Sequence, residues 1–195
     1  MDQNSPVAPE DKVCPICNGT KFILDPDGSV KKCRCQLKAE IRSYLPEFLS
    51  KYKISKTFDY SKFKGKNLYI WSELSFFASF VNTYLTFAYF KDNKPHYEIL
   101  TASGLTEHFF MNDSESVSLM NSCYSSDILF LLIYAGYNNK FTSQTVFDII
   151  KTRMLYNRPT IVFIDKTQFS EAELRNRIGD DAYNTIMKNF TKVGQ

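Results

Sequence analysis

Four cysteines crowd into 22 residues near the start of the chain: Cys14 and Cys17 in C-P-I-C, then Cys33 and Cys35 in C-R-C, with fifteen residues between the pairs. Four thiolates so spaced can close a tetrahedral zinc site, and a fold stapled by a metal needs little apolar core of its own. Phe22-Ile23-Leu24 and Ser29-Val30-Lys31 flank Asp25-Pro26-Asp27-Gly28, whose Pro and Gly chemistry makes a hairpin turn that brings the two pairs together. Gly19 follows the first pair, where a metal knuckle needs an unusual backbone conformation to aim amide N–H groups at sulfur. Disulfides or free thiols are the alternatives. The polar, acidic opening Met1-Asp2-Gln3-Asn4-Ser5 does not read as a signal peptide, so a reducing, cytoplasmic setting is expected. Cys123 stands alone in Asn121-Ser122-Cys123-Tyr124, without a nearby base, and reads as an unreactive thiol.

A length of 195 residues accommodates one ordinary domain and a small module. The expected organisation is a zinc-binding module with a basic helix over residues 1–50, a linker over 51–66 and an α/β domain over 67–195. No apolar run approaches the roughly 20 residues of a membrane helix; Ile128 to Ala135 has strand length. A soluble protein with no membrane partner is expected.

Charge is segregated along the chain. Residues 1–66 carry 13 Lys and Arg against 8 Asp and Glu, whereas residues 67–195 carry 11 against 13. Lys31, Lys32, Arg34, Lys38 and Arg42 cluster around the second cysteine pair, where they can touch phosphates, face an acidic partner surface or form a solvated basic face.

Leu37, Ile41 and Tyr44 recur at helical spacing until Pro46, and Pro46-Glu47-Phe48-Leu49 can begin a second short helix. The stretch Lys51 to Lys66 carries Phe58, Tyr60 and Phe63, aromatics expected to dock on the domain that follows rather than to stack on bases. From Asn67 onward strand and helix alternate: Leu68 to Trp71, a helix with Phe77, Phe80, Val81, Tyr84, Leu85 and Ala88 on one stripe, and Tyr97 to Thr101. Leu105 to Met111 reads as a helix and Asn112 to Ser118 as a polar loop. Asp127 to Tyr134 is a continuous apolar run suited to a central parallel strand covered on both faces. Val146, Ile149, Ile150 and Met154 mark a helix, Thr160 to Ile164 a β-branched strand, and Ser170-Glu171-Ala172-Glu173 a capping box that opens a helix through Ile178. This alternation calls for a three-layer α/β domain with a parallel sheet.

Such domains commonly bind nucleotides through a glycine-rich loop after the first strand. Here that junction reads Trp71-Ser72-Glu73-Leu74-Ser75-Phe76-Phe77, with no Gly, no Lys and an acid that repels a polyanion. The strand that would deliver metal-binding acids ends Leu132-Ile133-Tyr134-Ala135-Gly136, without paired carboxylates. Asp165, a lone acid at a strand's carboxyl end, reads as a turn or helix cap. His96 and His108 have no Ser or Cys nucleophile at recognisable spacing.

C-P-I-C-N-G-T-K-F-I at 14–23, C-R-C at 33–35, the basic helix after it and N-L-Y-I at 67–70 resemble the zinc-bearing variants of DnaC/DnaI-type replicative helicase loaders, common among phages. On that resemblance Tyr97 to Phe110 corresponds to the second strand and helix, Asp127 to Gly136 to the Walker B strand, Arg158 to Asp165 to the sensor 1 strand, and Ser170 to Leu174 to the helix after it. The family's G-x-x-x-x-G-K-[ST], its two Walker B acids, a polar sensor Asn near Asp165 and a serine-arginine finger segment around Asp180 to Lys188 are missing. The resemblance therefore implies a degenerate AAA+ domain without ATPase activity. The implied cofactor is Zn2+ on Cys14, Cys17, Cys33 and Cys35. The implied partner is a replicative helicase or its loader, recruited or regulated during DNA replication, with Lys31, Lys32, Arg34, Lys38 and Arg42 as contact candidates and self-assembly possible. The competing expectation is a zinc-dependent single-stranded DNA-binding protein with a scaffold α/β domain.

Overall fold

The computed structural model describes residues 13–102, 104, 111, 113–133 and 140–194. The chain divides after Glu47 into two compact units.

In the first unit, β1 (Phe22–Leu24) and β2 (Val30–Lys32) form an antiparallel hairpin with Phe22 opposite Lys32 and Leu24 opposite Val30. Its turn is closed by Asp25 N donating to the Ser29 carbonyl at 2.8 Å and by Gly28 N donating to the Asp25 carbonyl at 2.9 Å. Gly28 sits at φ 82, a conformation that costs a glycine nothing. Helix α1 (Arg34–Tyr44) starts directly after Cys33, and Leu45 turns extended at ψ 143 because Pro46 disfavours a helical residue before it. Glu47–Leu49 then makes a single 3-10 turn.

In the second unit, the short helix α2 (Tyr60–Phe63) is capped by Asp59, whose side chain accepts from Ser61 N. Then follow β3 (Leu68–Ser72), α3 (Leu74–Lys91), β4 (Tyr97–Thr101), α4 (Ser114–Ser125), β5 (Ile128–Ile133), α5 (Lys140–Leu155), β6 (Thr160–Asp165), α6 (Glu171–Asn189) and β7 (Thr191–Val193). The five strands form one parallel sheet in the order β4-β5-β6-β3-β7. Every residue of β5 and β6 is buried, the consequence of helices on both faces of a parallel sheet. Successive side chains point to opposite faces. On one face Phe77 of α3 stacks on Phe163 with centroids 4.5 Å apart and meets Phe130 edge-on at 6.4 Å. On the other, Leu129, Leu131, Ile133, Val162 and Ile164 pack with Val146, Ile149 and Ile150 of α5 and Leu174, Ile178 and Ile186 of α6.

The aromatics ahead of β3 dock as expected from the sequence. Phe58 stacks on Phe63 at 5.2 Å and meets Phe80 edge-on at 5.5 Å, and Tyr60 meets Tyr84 at 5.0 Å. The Tyr60 hydroxyl and Lys64 both engage Asp92 at the C-terminus of α3, so the segment is fastened at both ends of its aromatic run.

Two elements differ from the sequence reading. Of the loop expected over Asn112 to Ser118, Asn112 lies outside the described residues and Ser114 to Ser118 is instead the start of α4, capped by Asp113, whose carboxylate accepts from Ser116 N at 2.7 Å. Its polar residues are an exposed helix face, which composition alone does not distinguish from a loop. The last helix does not stop at Ile178: it kinks at Gly179 (φ 79, ψ 156), continues to Asn189 and returns the chain as β7 beside β3. Leu105 to Phe110, His108 and Tyr134-Ala135-Gly136 lie outside the described residues. No helix among the described residues is long and apolar enough to cross a membrane.

Candidate metal centre

The first cysteine pair sits on a tight knuckle. Asn18 N donates to the Cys14 carbonyl and Thr20 N to the Cys17 carbonyl, both at 2.9 Å, with the Thr20 hydroxyl adding a 2.7 Å bond to the same Cys17 oxygen. Asn18, Gly19 and Lys21 take φ of 45, 84 and 67, which turns the chain back on itself. The second pair comes from the hairpin's far end: Cys33 is the N-cap of α1, Cys35 lies in its first turn, and Cys33 N donates to the Lys21 carbonyl at 2.8 Å. That bond joins the two pairs.

All four Sγ atoms lie within 4.8 Å of one another. Cys14 and Cys33 are 3.9 Å apart and Cys17 and Cys35 3.5 Å apart. Both distances are far beyond the ~2.05 Å of an S–S bond and close to the edge of about 3.8 Å that a tetrahedron of Zn–S bonds requires. Among the described residues of this unit, Cys17 and Cys33 are the only buried apolar side chains. The cysteine cluster therefore takes the place of a hydrophobic core.

The sulfurs are electrostatically prepared for a cation. Backbone N–H groups of Ile16 and then Cys17 lower the Cys14 pKa. At Cys17, burial pushes the thiol up, but the Cys35 thiol and the Lys21 backbone N–H outweigh it and bring the pKa down to about 7. The same Cys17 contact, with burial next, pushes Cys35 up to about 12, so the pair shares one proton unequally. A divalent cation at the centre replaces those shared protons, and the four residues can hold a metal ion.

The five basic candidates split into two groups. Lys31 pairs with Asp25, and Lys32 with Glu40 at 2.7 Å, so both are committed to contacts inside the unit. Arg34, Lys38 and Arg42 recur every four residues along α1 and are all exposed, forming one basic ridge. No carboxylate among the described residues pairs with them.

In the second unit, β3 passes into α3 through one residue. Ser72 ends the strand, Glu73 is the N-cap, and Leu74 begins the helix. The Glu73 carbonyl accepts from Phe76 N at 3.0 Å and Phe77 N at 3.2 Å, and its carboxylate faces Lys166 at 3.3 Å. Sequence reasoning gave Lys166 no role, because the pairing depends on β3 and β6 being neighbours. Asp165 accepts from the backbone and hydroxyl of Thr167 at 2.9 and 2.7 Å, the turn-capping role its position suggested. His96 donates its backbone N–H to Asp127, and its Nε2 lies 3.5 Å from Glu98 Oε1, the oxygen that also accepts from the Ser122 hydroxyl.

Three solved structures share this architecture. The DnaC helicase loader superposes with TM-score 0.53 at 16% identity, over 87% of this chain and 94% of that one. DnaI superposes with TM-score 0.54 at 12% identity, over 80% and 84%. The replication initiator DnaA bound to AMPPCP and single-stranded DNA gives 0.52 at 13% identity, over 89% of this chain and 51% of that one. At these identities the likeness is one of fold: the α/β architecture is shared with DnaC, DnaI and DnaA. The chain spans about half the length of DnaA. No protein-family model and no curated protein matches the sequence.

Proposed function

We propose that this protein is a non-catalytic, helicase-loader-like component of DNA replication. In this reading Zn2+ held by Cys14, Cys17, Cys33 and Cys35 shapes a module that docks on a replicative helicase or its loader, and the α/β unit keeps the loader architecture without turning over nucleotide. The observation that carries the reading is the one-residue junction at Glu73. Cradling a triphosphate takes a run of backbone N–H groups between strand and helix, and an ammonium for the outer phosphates. Glu73 leaves no room for the run and brings negative charge to the helix N-terminus. Zinc is favoured over harder cations because all four donors are soft sulfurs at tetrahedral spacing.

The test is affinity capture against purified replicative helicase and its loader, with the Cys14→Ser, Cys17→Ser variant alongside, together with an ATP turnover assay. A complex lost in the variant, with turnover at background, is the expected result; substantial turnover, or no complex with either partner, overturns the reading. The exposed ridge of Arg34, Lys38 and Arg42 favours a second reading, single-stranded DNA binding. That reading requires affinity that falls steeply with salt and drops when the three residues are neutralised.

A further inference from the structure

Asn18-Gly19 is the one Asn-Gly step in the chain, and it stands immediately after Cys17. Such a step has its own chemistry. The backbone nitrogen that follows an asparagine can attack the side-chain carboxamide carbon; the Cγ–Nδ2 bond breaks, ammonia leaves with the proton that the attacking nitrogen gives up, and a five-membered succinimide remains. Water then opens the ring at either carbonyl, giving aspartate or the β-linked isoaspartate, and nothing is oxidised or reduced. A glycine in the second position puts no Cβ beside the attacking nitrogen, which makes it the least hindered case.

The knuckle exposes this step and restrains it at once. Asn18 and Gly19 are both exposed, so water reaches them. The nucleophile, however, is occupied: the Gly19 N–H is hydrogen-bonded to the Cys17 sulfur. The chain is fixed on either side of it, with Asn18 N on the Cys14 carbonyl and the Thr20 N–H and hydroxyl on the Cys17 carbonyl. To attack, the Gly19 nitrogen must shed the proton it donates to sulfur and turn toward Cγ, away from the φ values of 45 and 84 that Asn18 and Gly19 hold in the turn. What keeps that turn closed is the cysteine cluster, since Cys17 and Cys33 are the only buried apolar side chains among the described residues of this unit.

We infer that Asn18 is a deamidation site guarded by the closed knuckle: it persists while the four sulfurs are joined through a metal, and it converts once they are released, which bars the isoaspartate form from closing again. The inference rests on the metal reading proposed above. Isoaspartate inserts a methylene into the backbone ahead of the Gly19 nitrogen, and so displaces the Gly19 and Lys21 N–H groups that meet the Cys17 sulfur. The aspartate product leaves the backbone path unchanged.

The experiment incubates the full chain at mildly alkaline pH with a thiol reductant, one sample supplied with Zn2+ and one with a chelator. Bound zinc is read by elemental analysis and Asn18 by peptide mapping; trypsin cuts after Lys12 and Lys21, and the fragment between them contains no other Asn or Gln. Aspartate and isoaspartate form at Asn18 roughly tenfold or more faster in the chelated chain than in the zinc-bound one, because only the open knuckle reacts. Gly19→Ala slows the conversion in the chelated chain, where no fold is at stake. On return to Zn2+, uptake falls in proportion to the isoaspartate formed, while an Asn18→Asp variant takes up zinc as the unmodified chain does. Equal rates with zinc bound in one sample overturn the inference and leave the metal reading standing, whereas no bound zinc in the supplied sample overturns the metal reading and the inference with it. Absence of conversion in the chelated chain, or full zinc uptake by the isoaspartate form, overturns the inference as well.

Discussion

Arg153 Nη1 donates to the Cys123 carbonyl at 2.7 Å from a side chain that is 0% exposed, and the rest of the guanidinium is spent in the same way. Nη1 also reaches the Ser126 carbonyl and hydroxyl at 3.0 and 3.1 Å, Nη2 the Pro159 carbonyl at 2.8 Å, and Nε the Thr160 hydroxyl at 3.0 Å. Among the described residues no carboxylate contacts it directly; burial lowers its pKa to about 10, with Arg158 adding to the effect. One cation thus ties the C-terminus of α4 to the starts of β5 and β6, and its charge complements the negative end of the α4 dipole.

Arg153→Met keeps the stem but strands buried acceptors, each costing about 1–3 kcal/mol when left unpaired. We expect a loss of about 3–5 kcal/mol in urea unfolding at neutral pH, with Arg153→Lys recovering only part of it because an ammonium cannot reach three directions as a planar fork does. A Met variant within ~0.5 kcal/mol of wild type, the range of ordinary surface changes, contradicts the hub role.

Gly179 supports a different argument. Its φ 79, ψ 156 lies where essentially only glycine is unstrained, and it bends α6 so that Ala182, Tyr183 and Ile186 reach the core. An added Cβ would meet Ser143 Cβ at 3.6 Å, an ordinary contact, so the obstacle is the backbone and not space. Gly179→Ala should cost about 1–3 kcal/mol, whereas Ser143→Gly combined with it should rescue nothing. Thermal unfolding of the two variants decides this; rescue by the double variant would show that steric contact is the cause.

The sheet was legible in the sequence wherever burial is two-sided. Asp127 to Tyr134 and Thr160 to Ile164 read as strands, observed as Ile128–Ile133 and Thr160–Asp165 among the described residues, because apolar runs have few other homes, and the stripe from Phe77 to Ala88 read as a helix because six aromatic and aliphatic residues keep one period. The start of α4 and the whole of β7 were not, since a polar helix resembles a loop and a three-residue strand is defined only by its neighbour. Arg153 offered a signal that went unused: it stands four residues after Ile149 and three after Ile150, on the apolar face. In the first unit, cysteine spacing pointed to the cluster. The partners of Lys31 and Lys32 could not be read, because they depend on the hairpin turn and on where α1 lies beside it.

The capping box at Ser170 gives a pH-dependent prediction. Ser170 donates its hydroxyl at 2.7 Å and its backbone N–H at 2.8 Å to Glu173, and the hydroxyl is the larger cause holding the carboxyl below its usual pKa, followed by the backbone. A carboxylate depressed in the folded state adds stability that is present above its unfolded pKa, about 4.3, and is lost as pH falls through the folded value. Ser170→Ala should therefore move the Glu173 titration upward in an NMR pH series, and part of its destabilisation should vanish once the pH has fallen through the wild-type folded value, where Glu173 is protonated in both proteins. A stability deficit that is constant from neutral to acid pH argues against the Glu173 linkage.

Metal removal separates the two units most directly. Because Cys17 and Cys33 are the only buried apolar side chains among the described residues of the first unit, no other core remains to hold the hairpin and α1 once the sulfurs are released. In small zinc modules, apparent binding free energies of about 10–16 kcal/mol are folding free energy. Chelation, or Cys14→Ser with Cys17→Ser, should therefore unfold this unit alone. Hydrogen exchange reads the result at single amides: Cys33 N, bonded to the Lys21 carbonyl, and Leu37 N, bonded to the Cys33 carbonyl, lose protection, while amides of β5 and β6 keep theirs. Persistent protection at Cys33 after chelation would mean that the hairpin folds without metal. Loss at Leu131 and Val162 as well would mean that the sheet depends on the cysteine cluster, contrary to a division after Glu47.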